Sequence, residues 1–333
     1  MIGSTLRFLL AFALALVVAV SALWGTLALW YQIHVADALR TGLIAIFVGL
    51  ALLAVAGLFW RGRRRLVFGY CAAFAALLIW WTTITPKLDG DWSPEVARAV
   101  TGTVEGDALT LKGVRNFQWR TTTDFTPAWE DRRYDLSKIA TADIYVVYWA
   151  GPVIAHTIMS FGFDDGRHIA FSIEIRKEKS VDYSSIAGFF KRYELIFIAA
   201  DERDLMGLRK AFDEDVRLYR LRLDPASARR FLIEYVDQAN DLAANPRFYN
   251  TLTTNCTTTI FQMARALRAT LPLDWRIVLN GYLPSYLYRV NAVDTSIPLD
   301  ELIARAKVSD RIEAGLDEVA FGERLRQGVP SPR

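Results

Sequence analysis

Three long apolar runs open the chain, and the pattern then changes. Phe8 to Tyr31, Thr41 to Trp60 and Leu66 to Thr85 hold no Asp, Glu, Lys or Arg. Each runs for about 20 residues or more, the length an α-helix needs to cross a ~30 Å hydrocarbon core. The apolar run of a cleaved signal peptide is shorter, ~7–15 residues, and here two further runs follow the first directly. The pattern therefore predicts three transmembrane helices. Beyond Thr85 the apolar positions alternate, or recur at spacings of three and four, as they do in strands and amphipathic helices packed on a core.

The downstream elements can be placed in order. Pro86 to Ala99, broken by Pro86, Gly90 and Pro94, reads as a juxtamembrane linker, with Trp92 expected at the membrane interface. A short strand is predicted at Ala108–Lys112. Strand plus ordered loop follows from Val114 to Arg133, where Phe117, Trp119, Phe125 and Trp129 are expected to pack over a core. Ile144 to Trp149 is rich in β-branched and aromatic residues and is bounded by Gly151-Pro152, the mark of a buried strand. Further strands are predicted at Glu194–Ala200 and Val216–Leu223. Helices are predicted at Asp201–Phe212 and Ala226–Ala243, the second with Asp224 as cap and Pro225 in its first turn. Leu273 to Tyr288 is aromatic and loop-rich, Leu299 to Arg326 reads as one or two peripheral helices, and Gly328 to Arg333 as a frayed tail.

Val153–Phe163 and His168–Ile175 are separated by Asp164-Asp165-Gly166, a three-residue hairpin loop with glycine where positive φ is needed. If Phe163 pairs with Arg167, one face carries Thr157, Met159, Phe161 and Phe163 opposite Ile169, Phe171 and Ile173, an apolar layer suited to a core. The other face carries His156, Ile158, Ser160 and Gly162 opposite Glu174, Ser172, Ala170 and His168. On that face His156 stands directly across from Glu174, within reach of a His–carboxylate hydrogen bond. A solvated polar face with a surface ion pair is the plainer alternative.

A second local pattern supplies a thiol. Small cap-forming residues, Thr251 to Thr259, lead into Ile260, Met263, Ala264 and Leu267, so a helix should begin near Asn255 with Cys256 in its first turn. Unpaired backbone N–H groups and the helix dipole favour thiolate there. A small buried apolar residue is the plainer reading of a lone cysteine. The only other cysteine, Cys71, lies in the third apolar run, so the two cannot pair across the membrane boundary. An unpaired thiol in an oxidising compartment is a candidate reactive group.

Composition and charge agree with this division. A hydrophobic content of 53% is high for a water-soluble chain of 333 residues, and the three runs account for the excess. Arg61 to Arg65 form the strongest basic run between them, and the positive-inside rule puts that loop in the cytoplasm and everything after Thr85 on the other side. The formal charge of +3 resides in the apolar N-terminal region, since residues 1–85 hold six arginines and one aspartate. The remainder is slightly acidic, which gives no basic surface for nucleic acid. The three histidines, His34, His156 and His168, show no metal-ligand spacing, and no cofactor is expected.

Four blocks taken together resemble one family. Ala155 to Phe163, Phe171 to Glu178, Tyr193–Ile196 with Asp201–Asp204, and Tyr249 to Thr257 are similar, in this order, to the Lnb-type periplasmic domain, named for a bacterial lipoprotein N-acyltransferase. The resemblance runs from about Trp119 to Ala266 and extends remotely to the permuted papain-like fold of NlpC-type peptidases and lecithin:retinol acyltransferase. It implies Cys256 as nucleophile and His156 as base. Glu174 as orienting group comes from the hairpin register, with Asn255, Ser172 and His168 as possible supporting residues; His168 shares the proposed face and could serve the thiol instead. The named acyltransferase carries its membrane helices after this domain, whereas here three candidate spans precede it.

The expectation is an α+β chain in four parts. Residues 1–85 form a three-helix transmembrane region, 86–118 a linker with a short strand, 119–296 a periplasmic catalytic domain with an antiparallel sheet and packed helices, and 297–333 peripheral helices and a tail. The expected protein sits in a bacterial inner membrane and is a cysteine-dependent acyltransferase working through a thioester on lipid or lipoprotein substrates. A cell-wall peptide amidase on the same dyad, or a non-catalytic envelope module, are the alternatives.

Overall fold

The computed structural model describes residues 2–60 and 63–332. Arg61 and Gly62 of the basic run, and Arg333 of the tail, lie outside the described residues. The chain divides into two compact units, residues 1–86 with Ser184–Arg192, and residues 87–183 with 193–333.

The first unit contains α1 (Ile2–Gln32), α2 (Asp37–Phe59) and α3 (Arg64–Thr83), three helices long and apolar enough to cross a membrane. Their buried stripe is narrow: in α2 only Phe47, Ala51, Ala54 and Gly57 are buried, spaced as one helix face. Outward-facing positions are apolar too, among them Phe12, Leu52, Phe68 and Ile79, a pattern stable in lipid and costly in water. Within this unit Phe190 packs against Trp24, Tyr31 and Trp81, and Lys191 Nζ donates to the Trp81 carbonyl at 2.8 Å.

The second unit is built on one large sheet. Its strands are β1 (Thr101–Glu105), β2 (Ala108–Arg115), β5 (Trp129–Asp135), β6 (Ile139–Tyr148), β7 (Ala155–Phe163), β8 (His168–Arg176), β9 (Glu194–Ala200) and β10 (Asp215–Arg220), while β3 (Gln118–Trp119) and β4 (Phe125–Thr126) form a small separate pair. The order is β1-β2-β9-β8-β7-β6-β10, with β5 also on β2. Every pairing is antiparallel except a single parallel contact of β2 with β9. The helices are α4 (Glu202–Ala211), α5 (Pro225–Ala244), α6 (Cys256–Leu267), α7 (Leu283–Arg289), α8 (Leu299–Arg305) and α9 (Glu318–Arg326).

The β7–β8 hairpin has the predicted register, with Ile158 opposite Ser172 and Gly162 opposite His168. Phe163 N–H donates to the Arg167 carbonyl, and Gly166 takes φ +83°. The Thr157–Phe163 face packs under α5 and α6, where Phe161 and Phe171 meet Phe231 and Tyr235. The opposite face is not solvated. Ile158 and Ala170 belong to a second apolar cluster with Leu205 and Met206 of α4 and Phe321 and Leu325 of α9. The alternation of β7 misleads because both faces are covered, as in central strands of a three-layer domain.

Three other expectations are corrected. Trp92 is buried at 7% exposure, with Arg176 stacked 4.6 Å above its ring, so it is a core residue of the second unit. The segment taken for a linker with one short strand contains two full strands, β1 and β2. The tail is not frayed, since Val329 and Pro330 are buried and the Val329 N–H donates to the Arg326 carbonyl. The aromatics of 117–129 do pack together, with Phe117 and Phe125 stacked at 5.2 Å.

Candidate active site

Each element end at the site is fixed locally. Asn255 has extended φ/ψ and caps α6: its side chain accepts from the Thr258 N–H, while Thr258 Oγ1 accepts from the Asn255 N–H. This capping box sets where α6 starts, so Cys256 occupies its first position and the thiol sits at the positive end of the helix. Cys256 is 6% exposed.

The imidazole comes from the second residue of β7. His156 Nε2 lies 2.7 Å from Ser172 Oγ and 3.1 Å from Glu174 Oε1, and Ser172 Oγ in turn donates to Glu174 Oε1 at 2.7 Å. With Nε2 committed to that pair, Nδ1 is the nitrogen left for the Cys256 thiol, with which the imidazole interacts electrostatically. The same Glu174 oxygen accepts from Arg209 Nη2 of α4 at 3.0 Å. Arg209 was not anticipated, because α4 reads as an ordinary amphipathic helix and only the sheet brings it over Glu174.

Electrostatics follow from these contacts. Burial alone would raise the Cys256 pKa, but the His156 charge and hydrogen bonds from His156 and Thr157 outweigh it and lower the thiol to about 7. Burial alone would lower the His156 pKa; the Glu174 carboxylate and the Cys256 sulfur reverse this and raise it to about 10. Glu174 is held below the usual carboxylate range, since His156 and Arg209 overcome the effect of burial. The arrangement favours a thiolate–imidazolium pair at neutral pH, the state of an activated cysteine nucleophile.

A second hydrogen-bonded group adjoins the pair. Thr157 Oγ1 and Thr257 Oγ1 lie 3.1 Å apart, and Asn280 Nδ2 donates to Thr257 Oγ1 at 2.7 Å and to the Ala155 carbonyl at 2.6 Å. Asn280 Oδ1 accepts from the Ala155 N–H, so Asn280 ties the start of β7 to the start of α6. Behind Thr157 and Thr257 an apolar cavity of about 410 Å³ opens between α5, α6 and α7. On another side the half-exposed ring of Tyr183 stands within electrostatic reach of Cys256 and Glu174 and meets Trp149 edge-on at 6.1 Å.

His168 is not part of this group. It is 7% exposed and packs between Gly162 and Gly322, where Glu202, Arg326 and Asp143 are its charged neighbours. Ser160, on the same face, donates to Glu202 at 2.6 Å. The polar residues that alternate along β7 and β8 therefore serve two clusters, and only the His156–Ser172–Glu174 end meets the thiol.

The second unit is thus a mixed α+β domain with a cysteine at a helix start, a histidine on the adjacent sheet and a partly buried carboxylate behind it. Residues 125–281 match the family described as the Lnb N-terminal periplasmic domain. The match takes in His156, Ser172, Glu174, Arg209 and Cys256, and reaches Asn280. No curated protein and no solved structure matches the chain.

Proposed function

We propose that the protein is a membrane-anchored thiol acyltransferase whose second unit works in the periplasm, with Cys256 carrying an acyl group as a thioester. The observation that supports this is the Cys256–His156 pair, backed by Glu174 and set against an apolar cavity. The order of histidine strand before cysteine helix also agrees with permuted papain-like enzymes.

The Cys256 thiolate attacks the carbonyl carbon of a lipid ester, forming C–S as the C–O bond breaks. The leaving alkoxide takes the proton from the His156 imidazolium. An acceptor amine, as of a lipoprotein α-amino group, or water then attacks the thioester and gives its proton to His156, restoring the thiolate. The first-turn N–H of Cys256, without an intrahelical acceptor, is positioned to stabilise the oxyanion of both steps. Glu174 and Ser172 hold the imidazole orientation, and Arg209 holds Glu174. An apolar cavity suits an acyl chain better than the polar peptide of a cell wall, which favours the lipid reading over an amidase.

Incubation of the full chain with phospholipid vesicles, followed by intact mass spectrometry, tests the reading. The expected product is an acyl adduct on Cys256 that neutral hydroxylamine removes and that Cys256→Ala abolishes. No such adduct with any phospholipid headgroup would overturn it.

A further inference from the structure

The cavity between α5, α6 and α7 has a built polarity of its own. Its walls include the buried side chains of Phe231, Ile260, Phe261 and Leu287, and its inner end is closed by Thr157 and Thr257. Its exposed lining residues are different in kind: Arg222, Arg230 and Arg268 with Asp224 and Leu267. Asp224 is committed to the α5 cap, where its two oxygens accept from the Ser227 N–H and hydroxyl. The mouth thus carries net positive charge, while the interior offers hydrocarbon contact and ends beside the residues next to Cys256 and His156. A volume of about 410 Å³ lies in the range of small-ligand pockets.

We propose that this cavity binds one acyl chain whose anionic end group, a phosphate or a carboxylate, is held at the mouth by Arg230 and Arg268. Apolar surface drives the chain inward, and planar guanidinium groups suit a phosphate or carboxylate at the entrance. Assigning the bound chain as acyl donor deepens the reading above and rests on it; occupancy of the cavity does not.

Photolabelling of the full chain in diether-lipid nanodiscs, which contain no ester of their own, tests occupancy. The probes are palmitate with a terminal diazirine, its methyl ester, and a lysophosphatidylglycerol bearing the same chain, with label sites mapped by mass spectrometry. The expected result is label on α6 and α7, in addition to lipid-facing label on α1–α3 that serves as internal reference. Ala264→Trp, which projects a ring into the cavity from α6, should cut the α6–α7 label about tenfold and leave the reference unchanged. Should that variant fail to melt cooperatively, the exposed double variant Arg230→Glu/Arg268→Glu decides: label from both anionic probes falls several-fold and label from the methyl ester does not. Stronger label from the lysolipid than from palmitate identifies a lipid headgroup as the anion, and the reverse identifies a free carboxylate; either supports the proposal. Label confined to α1–α3, or unaffected by both variants, overturns it. Cys256→Ser keeps the label, so a missing thioester together with a filled cavity would sink the acyltransferase reading alone.

Discussion

Arg209 Nη2 lies 3.0 Å from the same Glu174 oxygen that stands 3.1 Å from His156 Nε2. Glu174 is therefore shared between a fixed cation and an imidazole that gains and loses its proton, and a carboxylate in that position stays ionised in both states. Arg209→Met removes the fixed cation and leaves the mostly buried carboxylate only the His156 imidazolium, for which a loss of up to ~3 kcal/mol is expected. The melting midpoint of the second unit should drop by up to roughly 6–12 °C. Arg209→Lys keeps the charge and should recover part of it; an unchanged midpoint in the methionine variant would mean that the pair contributes nothing net.

The thiol should titrate well below an ordinary cysteine. Cys256 is lowered to about 7 and His156 raised to about 10. The thiolate is thus present above about 7, the imidazolium below about 10, and both between them. Iodoacetamide alkylation of Cys256 should rise with a midpoint near the lower value. In His156→Ala the lowering charge is gone while burial, which raises, remains, so the midpoint moves above the ordinary thiol value of 9.0. Alkylation rates from pH 5 to 10, read in both proteins, check the sign.

Glu174→Gln preserves shape but replaces an acceptor by a group that also donates, so His156 loses both its stabilising charge and its fixed tautomer. In the proposed reaction thioester formation should fall ~10²–10⁴-fold. Ser172→Ala leaves the direct Nε2–Glu174 approach in place and should cost far less. Equal losses in the two variants would show that Ser172, not Glu174, carries the orientation.

At the far end of the same strands Arg326 joins Asp143 at 2.8 Å and Glu202 at 2.7 Å, all three nearly or fully buried. Arg326→Met leaves Glu202 without its cation, while Asp143 keeps Arg220 at 2.8 Å, and should destabilise the second unit by ~3 kcal/mol without moving the alkylation midpoint of Cys256. For Glu202, burial opposes the charge but Arg326 and His168 outweigh it and depress its pKa. Its contribution is therefore full above the ordinary carboxylate pKa and fades as the pH falls below it, so wild type loses midpoint on acidification and the variant loses less.

Gly281→Ala tests the strap that holds Asn280. A Cβ there would sit 2.1 Å from the Pro152 carbonyl oxygen, and because the Gly281 N–H donates to the Val153 carbonyl the two segments cannot part freely. Loss of ~1–3 kcal/mol is expected, with slower alkylation of Cys256 as Asn280 releases Thr257 and Ala155. Normal stability and alkylation in this variant would remove Asn280 from the positioning of the site.

Much of the site was legible because its determinants are local. The Asp164-Asp165-Gly166 turn fixes the hairpin register, and the register alone puts His156 across from Glu174. The Asn255 cap fixes the first turn of α6, and with it the place of Cys256. Arg209 and Asn280 were not legible: each reaches the site from an element whose own pattern is that of ordinary packing, and neither is near its partner in sequence. His168 was wrongly grouped by alternation, since period two assigns a face but not a position along it.

By itself the sequence determined the three apolar helices, the hairpin and its register, and the helix that begins at Cys256, because each depends on neighbours within a few residues or on bulk hydrophobicity. Only the tertiary structure decided that the second face of β7 and β8 is covered by α4 and α9, that its polar residues split into two clusters, and that α5, α6 and α7 leave a cavity behind Thr157 and Thr257. Those outcomes depend on which surfaces exclude water together, and that is settled between segments far apart in the chain.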